Sequence, residues 1–268
     1  KCIRKDNGDD FVNVTLTVEQ GNPRSVVWFD GLYPGLVFNR PVTVNQGENK
    51  ISVKAYDEVC RATDATGVVE GADTSKTIIA SEPIIISLAA DKDSICNGET
   101  VEMDMNVKNS LTSGPEVRWY ERYNGVEDLK YTDRSTKTSK THTPLNPTDF
   151  VVKKTMIVKT VDNICNAGKD VMDSVSYNIF IPIKLTLSSE GTVLNGDVIQ
   201  KCITQANVDN VVDLTVNVTS GNPSKLTWSD GKYNDDLVFT RQFVVSPGNN
   251  AISVVGSDGV CASLWSRL

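Results

Sequence analysis

The sequence predicts an all-β protein of three tandem antiparallel β-sandwiches, each with one disulfide. Three observations predict this. Short runs such as "VNVTLTV", "NKISVKAY", "TVEMDMNV", "EVRWYERY", "TMIVKTV" and "DLTVNV" alternate polar with apolar or β-branched residues, the period of a strand with one buried face. Turn formers (Gly-Asn-Pro, Asp-Gly, Gln-Gly-Glu-Asn, Pro-Gly-Asn-Asn) separate these runs every 8–12 residues or so. The six cysteines fall in order as Cys2 and Cys60, Cys96 and Cys165, Cys202 and Cys261, at gaps of 58, 69 and 59 residues (60 − 2, 165 − 96, 261 − 202). Dispersed pairs without CxxC clustering suit disulfides in an oxidising compartment rather than a metal site. Six buried thiols in a reducing compartment are the alternative.

Each unit shows the same parts in the same order. A tryptophan follows the first cysteine of each pair: Trp28, Trp119 and Trp228. On a third strand such a side chain sits between two sheets, where its area dominates a small core. The second cysteine closes a strand and a turn: "ISVKAYDEVC", "MIVKTVDNIC" and "ISVVGSDGVC". The first and third units match most closely, since "GNPRSVVWFDGLY" at Gly21 returns as "GNPSKLTWSDGKY" 200 residues later (221 − 21). What the phrase keeps is turn formers and large aromatics, with no nucleophile, base or metal ligand cluster, so it reads as architecture. The runs "ASEPIIISLAADKDSIC" and "SVSYNIFIPIKLTLSSEG" mark short, stiff junctions and give units 1–86, 87–184 and 185–268.

The ends carry two expectations. "KCI" at Lys1 matches "KCI" at Lys201, yet only Lys201 has a strand before it. The first unit is therefore expected to lack its first strand. The third, with only "ASLWSRL" after Cys261, should have a shortened last strand. Such edges fit a window on a longer repetitive chain; donor-strand filling by neighbouring chains is the alternative. The opening "KCIRKDNGDD" has no apolar core for a signal peptide.

Composition excludes some classes. The chain has 268 residues, 39% of them hydrophobic, and a net charge of −7, with no basic stripe for nucleic acid. No run of about 18 apolar residues spans a membrane.

The chemical inventory is thin. His142 is the single histidine and lies in the Thr-rich "RSTKTSKTHTPLNP", expected to be a solvated loop. Without a G-x-S-x-G elbow it does not make a hydrolase triad, and the chain is read as not an enzyme. Arg134, Lys137, Lys140 and His142 could meet an anionic glycan. Carboxylates gather in turns (Asp6, Asp9 and Asp10; Asp91 and Asp93; Asp230, Asp235 and Asp236), a weak pattern for calcium and the one cofactor worth naming. Asp30 and Asp230 are explained by Asp-Gly turns. Tyr120 and Tyr123, or Tyr33 and Tyr233, could form a sugar platform. Asn13 and Asn217 head N-x-Thr triplets that fall inside strands.

"DSICNGETVEMDMNV", Trp119 and "VKTVDNIC" resemble the Ig-like or PKD-like repeats of Bacteroidetes surface proteins, the gliding-motility adhesins and other type IX secretion substrates. Cys96, Gly98 and Glu99 match the repeat's entry and Asp162 to Cys165 its exit; Cys2 and Cys202 lack the following Gly-Glu. The resemblance implies Ig-like sandwiches, an extracellular or cell-surface location, and a disulfide stapling edge segments. It implies a structural or adhesive segment whose partners are neighbouring repeats, surface glycans or other surface proteins. A glycan- or protein-binding module and a donor-strand fibre subunit are the alternatives. "DSI" at Asp93 and "DSV" at Asp173 resemble O-glycosylation triplets of that phylum, making Ser94 and Ser174 candidate sites.

Overall fold

A computed structural model describes residues 1–268 except 5–6, 34–35, 57–61, 64–68, 71, 190–209, 232–236, 264–265 and 268. It is built of strands, and among the described residues no helix is long and apolar enough to cross a membrane.

The first unit holds β1 (Phe11–Thr15), β2 (Ser25–Trp28), β3 (Gly31–Tyr33), β4 (Asn39–Thr43), β5 (Gly47–Tyr56), β6 (Ala62–Thr63), β7 (Val69–Glu70) and β8 (Ala72–Ala80). β1 pairs with β4 on one side, and the facing sheet has the order β3-β2-β5-β8; β6 and β7 pair as a separate ribbon. The second unit holds β9 (Ile85–Ala90), β10 (Ser94–Cys96), β11 (Val101–Lys108), β12 (Glu116–Tyr123), β13 (Val126–Arg134), β14 (Lys137–His142), β15 (Val152–Asp162) and β16 (Lys169–Phe180). Its sheets are β14-β11-β9 and β10-β16-β15-β12-β13, so the first edge switches sheets and β10 runs parallel to β16. The third unit holds β17 (Lys184–Ser189), β18 (Val211–Ser220), β19 (Lys225–Trp228), β20 (Thr240–Val244), β21 (Ser253–Ser257) and β22 (Ser266–Arg267), arranged as β17-β18-β20 against β19-β21-β22.

Two-residue periodicity explains the cores. In β11, Val101, Met103, Met105 and Val107 point inward while Glu102, Asp104 and Lys108 are exposed. Each unit then closes around its tryptophan: Trp28, Trp119 and Trp228 are at most 1% exposed and lie in separate apolar clusters. The repeated turn chemistry repeats its bonds. Asn49 holds the turn before β5 by bonding Asn45 in both directions, and Asn250 does the same with Ser246.

The repeated phrase does more than turn the chain. Trp28 Nε1 donates to Val37 O and Trp228 Nε1 to Val238 O, so the strand-entry segment "LVF" satisfies the indole in both outer units. Asp30 receives a two-pronged bond from Arg40, and Asp230 one from Arg241. Arg40 also lies 5.5 Å from the Trp28 ring centroid. The Asp-Gly turn thus has a second function, to pin the sheet-crossing segment through a planar guanidinium. The middle unit, lacking this segment, leaves Trp119 Nε1 without a hydrogen-bond partner among the described residues and packs the ring edge-on against Tyr131.

Truncating a core tryptophan tests the layered reading. Trp119→Ala should lower stability by about 3–5 kcal/mol, read as the urea midpoint of near-ultraviolet dichroism. Ile85→Ala, at a side chain 54% exposed, should shift it by less than about 0.5 kcal/mol. Equal shifts would mean Trp119 is not the centre of the core.

Candidate functional site: the joints between sandwiches

The disulfides are not where unit-by-unit pairing puts them. Cys2 bonds Cys165 and Cys96 bonds Cys261, with Cα atoms 4.7 and 5.2 Å apart. Each bond therefore joins neighbouring sandwiches, and the expected Cys2–Cys60, Cys96–Cys165 and Cys202–Cys261 pairs give way. Cys60 and Cys202 lie outside the described residues. Strand geometry explains the correction. Cys96 stands opposite Phe180 at the end of β16, whereas Cys165 lies in the turn leading to its start at Lys169. β16 is 12 residues long, so the two sulfurs are held about 35 Å apart at roughly 3.3 Å per residue. Bonding needs Cα atoms within about 7 Å.

The chain builds each joint from the same parts. The opening cysteine of a sandwich lies beside the end of that sandwich's last strand: Cys2 bridges Ser81 in parallel, as Cys96 does Phe180. Ile3 N donates to Ser81 O at 2.8 Å and Asn97 N to Phe180 O at 2.9 Å. That end is where the linker leaves for the next unit. The closing cysteine waits there, in the turn after the next unit's central strand, β15 or β21. In the turn, Asp162 accepts from the amides of Ile164 and Cys165 at 3.0 and 2.7 Å. Asp258 does the same for Val260 and Cys261 at 2.9 and 2.7 Å. The Asp-x-x-Cys spacing is thus a carboxylate cap that aims a thiol.

The linkers are held too. Asp162 reaches across the first joint to accept from Ile84 N at 3.1 Å, while Asn109 Nδ2 donates to Pro83 O at 3.0 Å. Burial alone would push the Asp162 carboxyl up, but amides of Cys165, Ile84, Ile164 and Asn166 outweigh it and hold the carboxyl below its ordinary value. At the second joint a Cβ on Gly221 (φ 77°) would meet Ile183 at 2.9 Å and Pro182 O at 3.2 Å. That close approach, with the positive φ, is one reason the Gly-Asn-Pro turn begins with glycine.

A second cluster sits inside the middle sandwich. Glu121 follows Trp119 on the inner face of β12 and is 7% exposed. Its Oε1 meets His142 Nε2 at 3.0 Å and receives Tyr177 OH at 3.2 Å; its Oε2 receives Lys154 Nζ at 3.0 Å. His142 Nδ1 lies 3.0 Å from Tyr131 OH. His142, expected in a solvated loop, instead closes β14 and is 7% exposed; the Thr-rich stretch is an alternating edge strand. The acid–imidazole–phenol chain joins both sheets as a buried brace. Burial would raise the Glu121 carboxyl, yet bonds from His142 and Lys154 dominate and lower it to about 2. Burial and the Glu121 charge push the Tyr177 phenol well above its ordinary range.

The remaining candidates do not converge. Tyr120 and Tyr123 fall on opposite faces of β12, and Lys159 and Lys154 cover their rings at 4.8 and 5.8 Å, so they do not share a platform. The burial of Tyr33 and the whole of Tyr233, Asp6, Asp235 and Asp236 lie outside the described residues. Lys140 pairs with Asp133, and Arg134 with Glu116. Among the described residues no three His, Cys, Asp or Glu side chains group as metal ligands. Ser174 is exposed on β16; Ser94 is half-buried on β10.

The sheets and joints define a tandem array of Ig-like β-sandwiches. No protein-family model matches the chain, and no curated protein sequence does. Among solved structures it is similar to the three-Ig ectodomain of mouse nectin-like molecule 4, over 96% of this chain and 92% of that one, at 10% identity and a TM-score of 0.44. It is similar to the N-terminal four Ig domains of Dscam1 isoform 1.9 over 92% of this chain and 64% of that one, at 11% identity and a TM-score of 0.32.

The brace makes stability acid-sensitive. With its carboxyl at about 2 in the folded state against an ordinary 4.5, Glu121 adds stability that is full above pH 4.5 and lost as pH falls through 2. The difference is worth about 3 kcal/mol. Glu121→Gln should cost about 3–5 kcal/mol at neutral pH, because Lys154 stays buried without its counter-charge. The gap between variant and parent urea midpoints should narrow between pH 4.5 and 2. A gap constant across that range would refute the linkage.

Proposed function

We propose that the chain is a segment of an extracellular stalk in which tension passes between sandwiches through covalent joints. The observation that carries this reading is that both described disulfides join neighbouring units. A disulfide within a sandwich protects that sandwich alone; one across a joint fixes the direction in which the next unit projects. Disulfides persist in oxidising compartments, which supports an exported chain. The acidic surface and the resemblance of "DSICNGETVEM" and "VKTVDNIC" to surface repeats favour a long bacterial adhesin of the type IX-secreted kind.

Force spectroscopy tests the mechanical part. Pulled from its ends while oxidised, the chain can extend only along its shortest covalent route. That route runs from Lys1 to Cys2, from Cys165 back to Cys96, and from Cys261 to Leu268, or 77 residue steps (1, 69 and 7). Full extension should be about 250–280 Å oxidised and about 880–960 Å once reduced, at roughly 3.3–3.6 Å per residue. Equal lengths in the two states would remove the covalent joints and the reading with them.

A further inference from the structure

One sheet of each sandwich is built around a single strand: β1, β11 or β18. In the second and third units that strand is paired along both edges, β11 by β14 and β9, and β18 by β20 and β17. The strands β9 and β17 open their units and carry one phrase. "PIIISLAA" from Pro83 and "PIKLTLSS" from Pro182 share Pro-Ile, then an aliphatic residue, a hydroxyl residue and leucine at the same spacing. Leu88 stands opposite Met105, and Leu187 opposite Val216. β1 matches β18 at the offset of Gly21 to Gly221, and the same bonds tie both strands to one neighbour. Leu16 N donates to Phe38 O and Val216 N to Phe239 O, while Asp10 O accepts from Val44 N and Asn210 O from Val245 N. Alternation along the strand then turns the amides of Phe11, Asn13 and Thr15 to the other edge, where none of the described strands pairs with β1. The core differs accordingly. Val212, Leu214 and Val216 are 9%, 1% and 3% exposed, whereas Val12, Val14 and Leu16 are half-buried and Phe11 is 43% exposed. The adjoining turn differs in the same way: a Cβ on Gly221 would meet Ile183 of the phrase at 2.9 Å, and one on Gly21 would meet no atom of the described residues within 4 Å.

We propose that the outer edge of β1, with the turn at Gly21, is a strand-acceptor site for the connecting strand of a preceding Ig-like unit. The inference rests on the stalk reading and extends it, because a joint is then closed by strand addition as well as by a disulfide. The chemistry of the occupant follows from the two filled edges. It is an extended Pro-Ile-x-Leu-x-Leu segment, running antiparallel to β1 as β9 and β17 run to β11 and β18. Its backbone meets the outward amides of β1. Its second leucine stands opposite Leu16, as Leu187 does opposite Val216, and its first opposite Val18, as Leu185 does opposite Val218. Its isoleucine closes on Gly21 as Ile183 closes on Gly221. A preceding unit is the source because both filled edges take their strand from the linker that leaves the sandwich before them: β9 follows β8, and β17 follows β16. The site is therefore continuous with the joint that a preceding unit makes.

The experiment adds a second copy of residues 182–200 ahead of Lys1, so that Lys1-Cys2-Ile3 gains the lead-in that precedes Lys201-Cys202-Ile203. Amide hydrogen exchange, read by mass spectrometry on the oxidised chain, then compares fused and unfused proteins over residues 11–17. Exchange there should slow by roughly tenfold or more, since each leucine placed on the core is worth at least that factor. Leu185→Ser and Leu187→Ser in the added copy alone, which leave the rest of the chain untouched, should restore the unfused rate. Unchanged exchange in the fused chain, or equal protection from the serine copy, would overturn the acceptor site. Protection of residues 11–17 that rises with concentration in the unfused chain would assign the edge to a second copy and overturn the preceding unit as occupant. The stalk reading is judged separately by the oxidised and reduced extensions, which do not involve this edge, so either can fail alone.

Discussion

A disulfide can form only where the backbone has already brought two Cα atoms within about 7 Å, and in this protein that condition is met between units and not within them. The reason lies in where each cysteine stands on its sandwich. The parallel bridge puts the opening cysteine at the end where the chain exits, and the Asp-capped turn puts the closing cysteine at the end where it enters. Opposite ends of one sandwich are separated by a full strand, whereas the exit of one and the entry of the next are adjacent. Linker packing, turn capping and unit order all follow from that adjacency.

The joints also change the energetics of each small domain. A cross-link closing 163 or 165 residues removes about 5 kcal/mol of unfolded-chain freedom in the chain-entropy model, slightly more than one closing about 60. Because each loop encloses parts of two sandwiches, neighbours share the constraint. The middle unit adds its own fixed point, the Glu121 brace between its sheets. The outer units use instead the guanidinium clamp from Arg40 to Asp30 and from Arg241 to Asp230.

Strand positions, turns and buried tryptophans were legible in the sequence because each depends on local spacing. Period two made "TVEMDMNV" a half-buried strand, and the Gly-Asn-Pro and Gly-x-Asn turns follow from residue type alone. The same period also carries charged residues on buried faces. Val117, Trp119, Glu121 and Tyr123 share a face, as do Val152, Lys154, Met156 and Val158, which places a carboxylate and an ammonium inside the sandwich. The arginine clamp was visible too, since "LVFNR" returns as "LVFTR". Cysteine pairing was not legible in this way. Order along the chain favours the nearest partner, while the bond depends on which end of a sandwich each residue reaches, a fact of strand register that spacing does not encode. His142 failed for a related reason, because a polar, Thr-rich run has the composition of a loop and the alternation of an edge strand.

The overlapping spans of the two bonds have a consequence for durability. The first encloses residues 2 to 165 and the second 96 to 261, so every peptide bond between Cys2 and Cys261 lies inside at least one covalent ring. A protease that cuts once anywhere in that range leaves two fragments still tied together. For a chain exposed to hydrolytic enzymes, a single nick becomes a local scar, and severing the molecule takes a second cut or a reductant.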